Sequence, residues 1–263
     1  MIGSAGGPEL DRRFGAVARL YGQATLERFG SVRIAVVGLG GVGTWTAEAL
    51  ARSGVGKLTL IDLDHIAESN TNRQIHALEA DFGKAKVQAM AERIRAIHPG
   101  AQVRAVEEFV TPENVGDLLR EVDLVVDCID QVRAKAALIS HARSNAIAVV
   151  TCGGAGGRKD PARIRRDDLA RAQGDRLLAK LRHCLRRDYG YAAAAAGGRP
   201  ARFGVDAIFS DEPLCRPAPG CEPEGGPPAG SPLACGGYGS CVTVTATMGF
   251  AAAACALEQF QAP

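Results

Sequence analysis

The sequence predicts an α/β domain with a mainly parallel sheet, helices on both faces of that sheet, and a C-terminal extension. Three observations lead to this prediction. Strand-like apolar runs alternate with helical runs through the first 150 residues, several of the strands are apolar on both faces, and the alternation stops after Thr151. At 263 residues, of which 46% are hydrophobic, the chain can form one large domain with a sizeable core.

The elements follow in chain order. Five strands are predicted at residues 32–37, 57–61, 102–106, 123–127 and 148–151, and the helices between them at 44–53, 84–97, 112–120 and 132–145. Thr111 and Pro112 favour a helix start, since Pro is well suited to the first helical position. We therefore interpret residues 1–151 as the regular α/β part and residues 152–263 as the C-terminal part of the same compact domain.

The C-terminal part has a different character. An amphipathic helix around residues 177–185 is followed by an Ala/Gly run at 191–198 and a short strand at 205–209. A long loop is predicted at 213–232, where 11 of 20 residues are Pro or Gly, and a terminal helix at 241–259 closes the chain.

Composition limits the class of protein. The first residues, MIGSAGGPELDRR, contain no apolar stretch of signal-peptide length, so we expect a cytoplasmic protein whose eight cysteines are reduced thiols. The apolar window 241–257 contains three Thr and falls short of the roughly 20 strongly apolar residues that a membrane span needs. We expect a buried helix there and no membrane span, with peripheral membrane contact as the less favoured alternative.

Positive charge is concentrated in one segment. Residues 158–202 contain 13 Lys and Arg against five Asp and Glu, whereas the formal net charge of the whole chain is only +2. This basic segment is a candidate electrostatic surface for a polyanion, and a solvated helix face is the alternative interpretation.

The turn after the first strand predicts a nucleotide site. Four glycines of the sequence VVGLGGVG follow that strand and open a helix: Gly38, Gly40, Gly41 and Gly43. Such a turn presents backbone N–H groups and the helix dipole to phosphate. Asp62 follows the next strand, with Asp64 close behind it, and a carboxylate there can accept hydrogen bonds from ribose hydroxyls. To this point the pattern fits NAD and ATP equally.

The next residues favour ATP over NAD. A triphosphate attacked at its α-phosphorus needs cations around its phosphates, whereas the pyrophosphate of a dinucleotide needs little beyond the helix N-terminus. The segment SNTNRQIHALEADFGKAK supplies polar and cationic candidates, which are Asn70, Arg73, Gln74 and Lys86. The alternative interpretation of both cations is a solvated surface charge. Asp130, past the buried strand of VVDCID, is a candidate Mg²⁺ ligand or, alternatively, a helix N-cap.

Together these motifs resemble the ThiF and MoeB type of ATP-dependent adenylating enzymes, which are related to the ubiquitin-activating enzymes. The resemblance rests on GxGGxG, the Asp after the next strand, N-x-x-R-Q, a Lys 13 residues beyond that Arg, and D-x-x-D. It implies that Asp62 holds the ribose and that Asp130 binds Mg²⁺. It also implies that Asn70, Arg73 and Lys86 hold the phosphates, so that residues 1–151 form the ATP-binding part. Of these three, Arg73 and Lys86 act in catalysis together with Asp130.

The same resemblance implies a homodimer in which an N-terminal Arg reaches into the partner's site. The usual R-[YF]-x-R pattern reads Arg13-Phe14-Gly15-Ala16 in this chain, so the second Arg is missing. Arg13 or Arg19 is expected to take over that role.

A narrower resemblance extends over nearly the whole chain. The segments RFGAVARLYG, TNRQIHAL, EEFVTPENV, VRAKAALI, TCGGAGGRKDP, GVDAIFSDE and VTVTATMGF are similar to those of the tRNA threonylcarbamoyladenosine dehydratases. This resemblance implies that ATP adenylates the carboxylate of the threonylcarbamoyl group on a tRNA adenosine. The side chain's own nitrogen then closes a ring with release of AMP and net loss of water. It implies tRNA rather than DNA as the partner, with Arg165, Arg166, Arg182, Arg186 and Arg187 as candidate contacts.

Other hypotheses remain open at the level of sequence. One is an enzyme that activates the C-terminus of a ubiquitin-like sulfur-carrier protein, although the C-x5-C-x13-C-x5-C spacing from Cys215 to Cys241 is wrong for the zinc site of those enzymes. An NAD-binding oxidoreductase and a catalytically silent tRNA-binding protein are two more. Cys235 could serve a sulfur-transfer partner, but an incidental thiol is the favoured interpretation. His76 is interpreted as a helix residue near the site, and Cys128, Cys152 and Cys255 as buried.

Overall fold

The computed structural model describes residues 8–193, 200–215 and 238–261, with side chains from residue 12 onward. The described helices are α1 (Pro8–Tyr21), α2 (Gln23–Ser31), α3 (Gly43–Arg52), α4 (Lys86–Ile97), α5 (Val115–Leu118), α6 (Val132–Ser144), α7 (Arg176–Asp188) and α8 (Val242–Glu258). The strands are β1 (Arg33–Val37), β2 (Lys57–Ile61), β3 (Gln102–Val106), β4 (Leu124–Asp127), β5 (Ala148–Cys152), β6 (Ile164–Asp168) and β7 (Asp206–Ser210).

The seven strands form one sheet in the order β3-β2-β1-β4-β5-β7-β6. Every pair is parallel except β6 with β7, which is antiparallel at the edge. The chain leaves β1 toward β2 on one side and returns to pair β4 on the other, which creates a crevice at the carboxyl ends of β1 and β4. The predicted α/β architecture is confirmed. The short strand predicted at 205–209 corresponds to β7, which pairs with β5 and continues the sheet into the C-terminal extension.

The two faces of the sheet carry separate apolar cores, because alternate side chains of a strand point to opposite faces. Ile34 and Val36 of β1 belong to the cluster packed by α3, α4 and α8. Ala35 and Val37 of the same strand belong to the cluster packed by α6 and α7. Burial on both faces explains why the central strands are continuous apolar runs.

The predicted helix at 112–120 is wrong in extent, because α5 covers only Val115–Leu118. The backbone N–H of Thr111 donates to Asn114 Oδ1 at 2.8 Å, and the backbone N–H of Asn114 contacts Thr111 Oγ1 at 3.3 Å. These reciprocal bonds hold 111–114 as a turn, so the helix begins only after Asn114. Helices α1 and α2 and strand β6 were not predicted at all.

Helix α8 is buried, as predicted. It lies against α3 so closely that a Cβ on Gly249 would be 2.7 Å from the carbonyl oxygen of Val42. Across the described part of the chain, helix lengths and apolar content do not reach those of a membrane span. Most of the predicted loop at 213–232, most of the Ala/Gly run, and Cys221 and Cys235 lie outside the described residues.

Candidate active site

A cavity of about 420 Å³ lies in the crevice at the carboxyl edge of the sheet. The loops after β1, β2, β4 and β5 all contribute to its wall. Ten of the predicted site residues line it, namely Gly38, Gly40, Gly41, Asp62, Asp64, Asn70, Arg73, Gln74, Lys86 and Asp130. The structure therefore brings together residues that lie up to 92 positions apart in the sequence.

The glycines of the turn have different structural roles. Gly38 has a φ of +87°, and a Cβ there would lie 2.9 Å from the backbone of Cys128. A Cβ on Gly43 would lie 1.8 Å from the carbonyl oxygen of Gly38, so Gly43 supports the turn from behind the cavity wall. A Cβ on Gly40 would meet no atom of the described chain within 4 Å, so this glycine leaves space that a phosphate could fill.

Gly41 supports the position of Arg73. A Cβ on Gly41 would lie 3.1 Å from Arg73 Cγ and 3.1 Å from Thr245 Cγ2. A side chain there would therefore push the stem of Arg73 away from the turn.

Asp62 is held by the backbone around it. One carboxylate oxygen accepts from the Leu39 N–H at 2.5 Å and the other from the Asp64 N–H at 2.8 Å. Burial raises the pKa of Asp62, and the nearby Lys86 ammonium is the largest opposing influence. Each oxygen retains a lone pair with which to accept a ribose hydroxyl.

Lys86 is a buried cation rather than a solvated surface charge. It is the first residue of α4, it is 5% exposed, and its Nζ lies 2.7 Å from Asp64 Oδ2. The Asp64 side chain is 57% exposed, so water solvates one end of this pair. An anion entering the cavity can thus compete with Asp64 for the Lys86 ammonium.

The segment before α4 supplies three more polar groups. Arg73 Nη1 donates to the Ser69 carbonyl at 2.8 Å and to Asn72 Oδ1 at 2.9 Å. Asn70 Oδ1 accepts from the Ala67 N–H at 3.1 Å and thereby holds the short 3-10 helix Glu68–Asn70. Gln74 Oε1 is buried without a hydrogen-bond partner in the described chain.

Asp130 is exposed and lines the cavity next to a rigid buried cluster. The N-cap of α6 is Gln131, so the alternative interpretation of Asp130 as that N-cap is wrong. Sequence reasoning missed the cluster itself, in which Asp127 Oδ2 lies 3.0 Å from Lys135 Nζ and both side chains are 0% exposed. Lys135 also donates to the Ile129 carbonyl at 2.8 Å, which fixes the backbone just before Asp130.

His76 and Cys128 differ from their sequence interpretations. His76 lies in a turn rather than a helix, and burial, aided by Lys86 and Arg93, lowers its pKa to about 4. A histidine that is neutral near pH 7 adds no charge to the site. Cys128 is only partly buried and lines the cavity, with its Sγ 3.8 Å from that of Cys152, whereas Cys152 and Cys255 are buried as predicted.

The five arginines predicted to contact tRNA lie on β6 and α7, and the described lining of the cavity does not include them. Three of them are paired with carboxylates: Arg165 with Asp211 at 3.0 Å, Arg166 with Asp206 at 3.2 Å and also with Glu258, and Arg187 with Asp188 at 2.6 Å. Arg186 lies over the Phe203 ring at 5.3 Å, and Arg182 is half-buried. Arg13, one of two candidates for the N-terminal role, is exposed and donates to the Ile97 carbonyl of its own chain at 3.2 Å, and Arg19 is exposed.

Comparison with known proteins gives a consistent result. The model of the ThiF family matches residues 12–258. The tRNA threonylcarbamoyladenosine dehydratase of Escherichia coli is 46% identical over 256 residues, which are 95% of this chain and 94% of that protein. The dehydratase of Bacillus subtilis is 35% identical over 192 residues, 73% of this chain and 71% of that protein.

Solved structures agree with the sequence comparison. The crystal structure of the Escherichia coli dehydratase in complex with ATP has a TM-score of 0.85 at 45% identity, covering 97% of this chain and 96% of that one. Its complex with AMP has a TM-score of 0.86 at 45% identity. The predicted resemblance is confirmed: the chain belongs to the ThiF family, and within it to the group that contains the tRNA threonylcarbamoyladenosine dehydratases.

Proposed function

We propose that this protein is an adenylating, ligase-type enzyme that uses ATP to dehydrate threonylcarbamoyladenosine in tRNA to its cyclic form. The observation that carries the proposal is the likeness to the Escherichia coli dehydratase, which extends over 95% of this chain, including the part after Thr151. We infer the substrate from that relative, which is a tRNA threonylcarbamoyladenosine dehydratase, and the nucleotide from its crystal structures with ATP and with AMP. The cavity at the carboxyl edge of the sheet supplies a site of matching chemistry.

The chemistry fits the groups present. A carboxylate does not react with a nitrogen nucleophile until its oxygen becomes a good leaving group, and transfer of AMP achieves this. The carboxylate oxygen attacks the α-phosphorus, pyrophosphate leaves, and the nitrogen of the side chain then attacks the acyl carbon and releases AMP. The attacking carboxylate is already ionised at neutral pH, so the first step needs cations and placement rather than a base.

The chain's own residues have distinct parts in this proposal. Asp62 accepts the ribose hydroxyls, and the N–H groups of Gly40 and Gly41, which line the cavity, face the phosphates. The Lys86 ammonium gives up its bond to Asp64 and bonds to phosphate oxygens instead. Arg73 places a second cation beside the phosphates. Asn70 and Gln74 supply the neutral polar contacts, and the unpartnered oxygen of Gln74 suits a hydroxyl or amino donor of the nucleotide.

The residues present also fit a Mg²⁺ ion bound together with ATP. Asp130 is exposed toward the cavity, whereas Asp127 is committed to Lys135, Thr151 and the Ile129 N–H. One carboxylate together with substrate phosphates is a common way for proteins to hold Mg²⁺. We propose Asp130 as that ligand, where the ion would neutralise charge on the phosphates.

The partners follow from the same proposal. The substrate is tRNA carrying the linear modification, the enzyme acts as a homodimer in the cytoplasm, and Arg13 or Arg19 serves the partner's site. The exposed α1, where Leu20 is 76% exposed, offers an apolar position for subunit contact. A sulfur-transfer protein is a further possible partner. Residues 1–151 supply most of the nucleotide-binding site, and residues 152–263 complete the same domain and carry the basic segment 158–202 that is proposed to contact tRNA.

The sulfur-carrier alternative has narrower support. The adenylyltransferase/sulfurtransferase MoeZ of Mycobacterium tuberculosis is 38% identical, but over only 104 residues, 40% of this chain. The likeness to the Escherichia coli dehydratase, by contrast, extends over 95% of this chain.

The test is a reconstituted reaction. The protein is incubated with ATP, Mg²⁺ and tRNA bearing linear threonylcarbamoyladenosine, and AMP and the mass of the nucleoside are measured. We expect one AMP per nucleoside that loses one water, and Lys86→Ala should abolish both. ATP–pyrophosphate exchange that depends on a Gly-Gly-ended protein and not on tRNA would favour the sulfur-carrier alternative instead.

A further inference from the structure

A second cavity of about 530 Å³ adjoins the nucleotide cavity. The two share a wall, formed by Asp130, Gln131, Gly154, Gly156 and Leu177. The rest of the lining of the second cavity includes Arg158, two residues beyond Gly156 of the shared wall, together with the start of α7, Leu214 and Tyr238. A group bound in the second cavity would therefore lie next to the nucleotide.

Arg158 is a buried charge without sufficient partners. It is 3% exposed, and its Nη2 donates to the Gly174 carbonyl at 3.0 Å. Its Nε and Nη1 have no hydrogen-bond partner in the part of the chain that the structure describes. The guanidinium is a cation, and a buried charge short of acceptors destabilises the fold.

Neither of the two nearby carboxylates accepts a hydrogen bond from Nε or Nη1 of Arg158. Asp175 caps α7 by accepting from the Leu178 N–H at 2.8 Å, and its second oxygen accepts from the Gly154 N–H at 2.9 Å. Glu212 attracts Arg158 electrostatically but accepts from the backbone N–H groups of Lys159 and Asp160, at 2.9 and 3.0 Å. Nε and Nη1 of Arg158 thus lack an acceptor among the described residues, and both atoms are buried in the wall of the second cavity, so an anion that enters the cavity bonds to them once the guanidinium turns toward it.

We infer that Arg158 binds the substrate carboxylate that is to be adenylated, and that the second cavity receives the modified side chain. This inference rests on the proposed function. A carboxylate on a flexible side chain can reach a guanidinium that is 3% exposed, whereas an RNA backbone phosphate remains at the surface. One carboxylate oxygen bonds to Arg158 and leaves the other to attack the α-phosphorus, so Arg158 acts as a positioning residue.

The rim of the second cavity suits the RNA around such a side chain. Arg133, Arg176 and Lys180 line it and are exposed. Asp130 is the acidic group on the shared wall, and it is the proposed Mg²⁺ ligand. Exposed cations of this kind contribute phosphate contacts without sequence preference.

The test compares binding of two tRNAs in the absence of ATP, when no reaction proceeds. One tRNA carries linear threonylcarbamoyladenosine, and the other is the same tRNA without the modification and so without its carboxylate. We expect the wild-type protein to prefer the modified tRNA by at least about 30-fold, the loss typical of removing one partner from a buried charge pair. Arg158→Met should reduce the ratio of the two affinities to about one, so that both tRNAs bind equally. Arg158→Lys, which keeps a positive charge, should restore part of the preference.

Two controls separate positioning from folding. Arg163→Met removes an arginine of the same segment that is paired with Asp211 at 2.8 Å, and it should keep the wild-type preference. Arg158→Met should also keep ATP affinity within about twofold and a melting temperature equal to or above that of wild type, because it removes a poorly compensated buried charge.

The outcomes are distinct. If Arg158→Met keeps the preference, or weakens both tRNAs equally so that the anion is a backbone phosphate, the inference is overturned. If the wild-type protein releases no AMP and no water from the modified tRNA, the proposed function itself has failed. Turnover by wild type with an unchanged preference in Arg158→Met would overturn this inference alone.

Discussion

Lys135→Met should destabilise the protein severely, because it leaves a buried carboxylate without its cation. The Asp127 and Lys135 side chains are both 0% exposed and 3.0 Å apart. Without the ammonium, Asp127 would retain only the Thr151 hydroxyl at 2.7 Å and the Ile129 N–H at 3.1 Å. Breaking a buried pair from one side costs about 3–5 kcal/mol. For a chain of this length that corresponds to a drop in melting temperature of roughly 6–20 °C.

The assay is urea unfolding together with a thermal melt, on wild type and three variants. Asp127→Asn combined with Lys135→Met removes both charges while the amide oxygen still accepts from Thr151, so the double variant should regain at least about half of the lost stability. Arg120→Met, which removes an ion pair whose side chains are 74% and 77% exposed, should melt like wild type. A free energy of unfolding for Lys135→Met within about 1 kcal/mol of wild type would contradict this prediction, and so would a double variant no more stable than Lys135→Met alone.

Three further predictions concern the site. Gly43→Ala should prevent normal folding, since its Cβ would lie 1.8 Å from the Gly38 carbonyl oxygen, whereas Gly40→Ala should melt like wild type but bind ATP more weakly. Equal melting temperatures for these two variants would contradict the roles given to the glycines. His76, with its pKa lowered to about 4, should make the folded state less stable by up to about 3 kcal/mol as pH falls from 6.5 to 4, because the unfolded chain then binds a proton that the folded chain does not. His76→Leu should flatten that part of the stability curve, and an unchanged slope would exclude His76 as the cause. Asp130→Asn should raise the Mg²⁺ concentration for half-maximal AMP formation at least about tenfold, and an unchanged Mg²⁺ dependence would remove Asp130 as the ligand.

The nucleotide cavity could be predicted from the sequence because its residues follow strands that the hydrophobic pattern reveals. Parallel strands bring their carboxyl ends to one edge, so Gly38, Asp62 and Asp130 had to lie near one another once the strands were placed. Lys86 was predicted as a site residue, but its burial and its bond to Asp64 depend on how α4 docks on the sheet.

Strand β6 and the burial of Arg158 could not be predicted, because neither leaves a local pattern in the sequence. Strand β6 reads IRRDD, without the alternation of apolar side chains that marks a half-buried strand, and it is held by pairing to β7 and by ion pairs such as Arg165 with Asp211. The charge count placed Arg158 in a basic segment that could equally be a solvated face. Its burial, and the hydrogen bond from its guanidinium to the Gly174 carbonyl, depend on the folded structure.

Labelling the substrate carboxylate with ¹⁸O tests most directly whether that carboxylate is adenylated. If the carboxylate is adenylated, its oxygen becomes the bridge to phosphorus and leaves with AMP when the ring closes. We therefore expect the AMP formed to carry one ¹⁸O atom per cyclic nucleoside and pyrophosphate to carry none. Appearance of the label in inorganic phosphate together with ADP, or in water with unlabelled AMP, would contradict carboxylate adenylation as the function of this site.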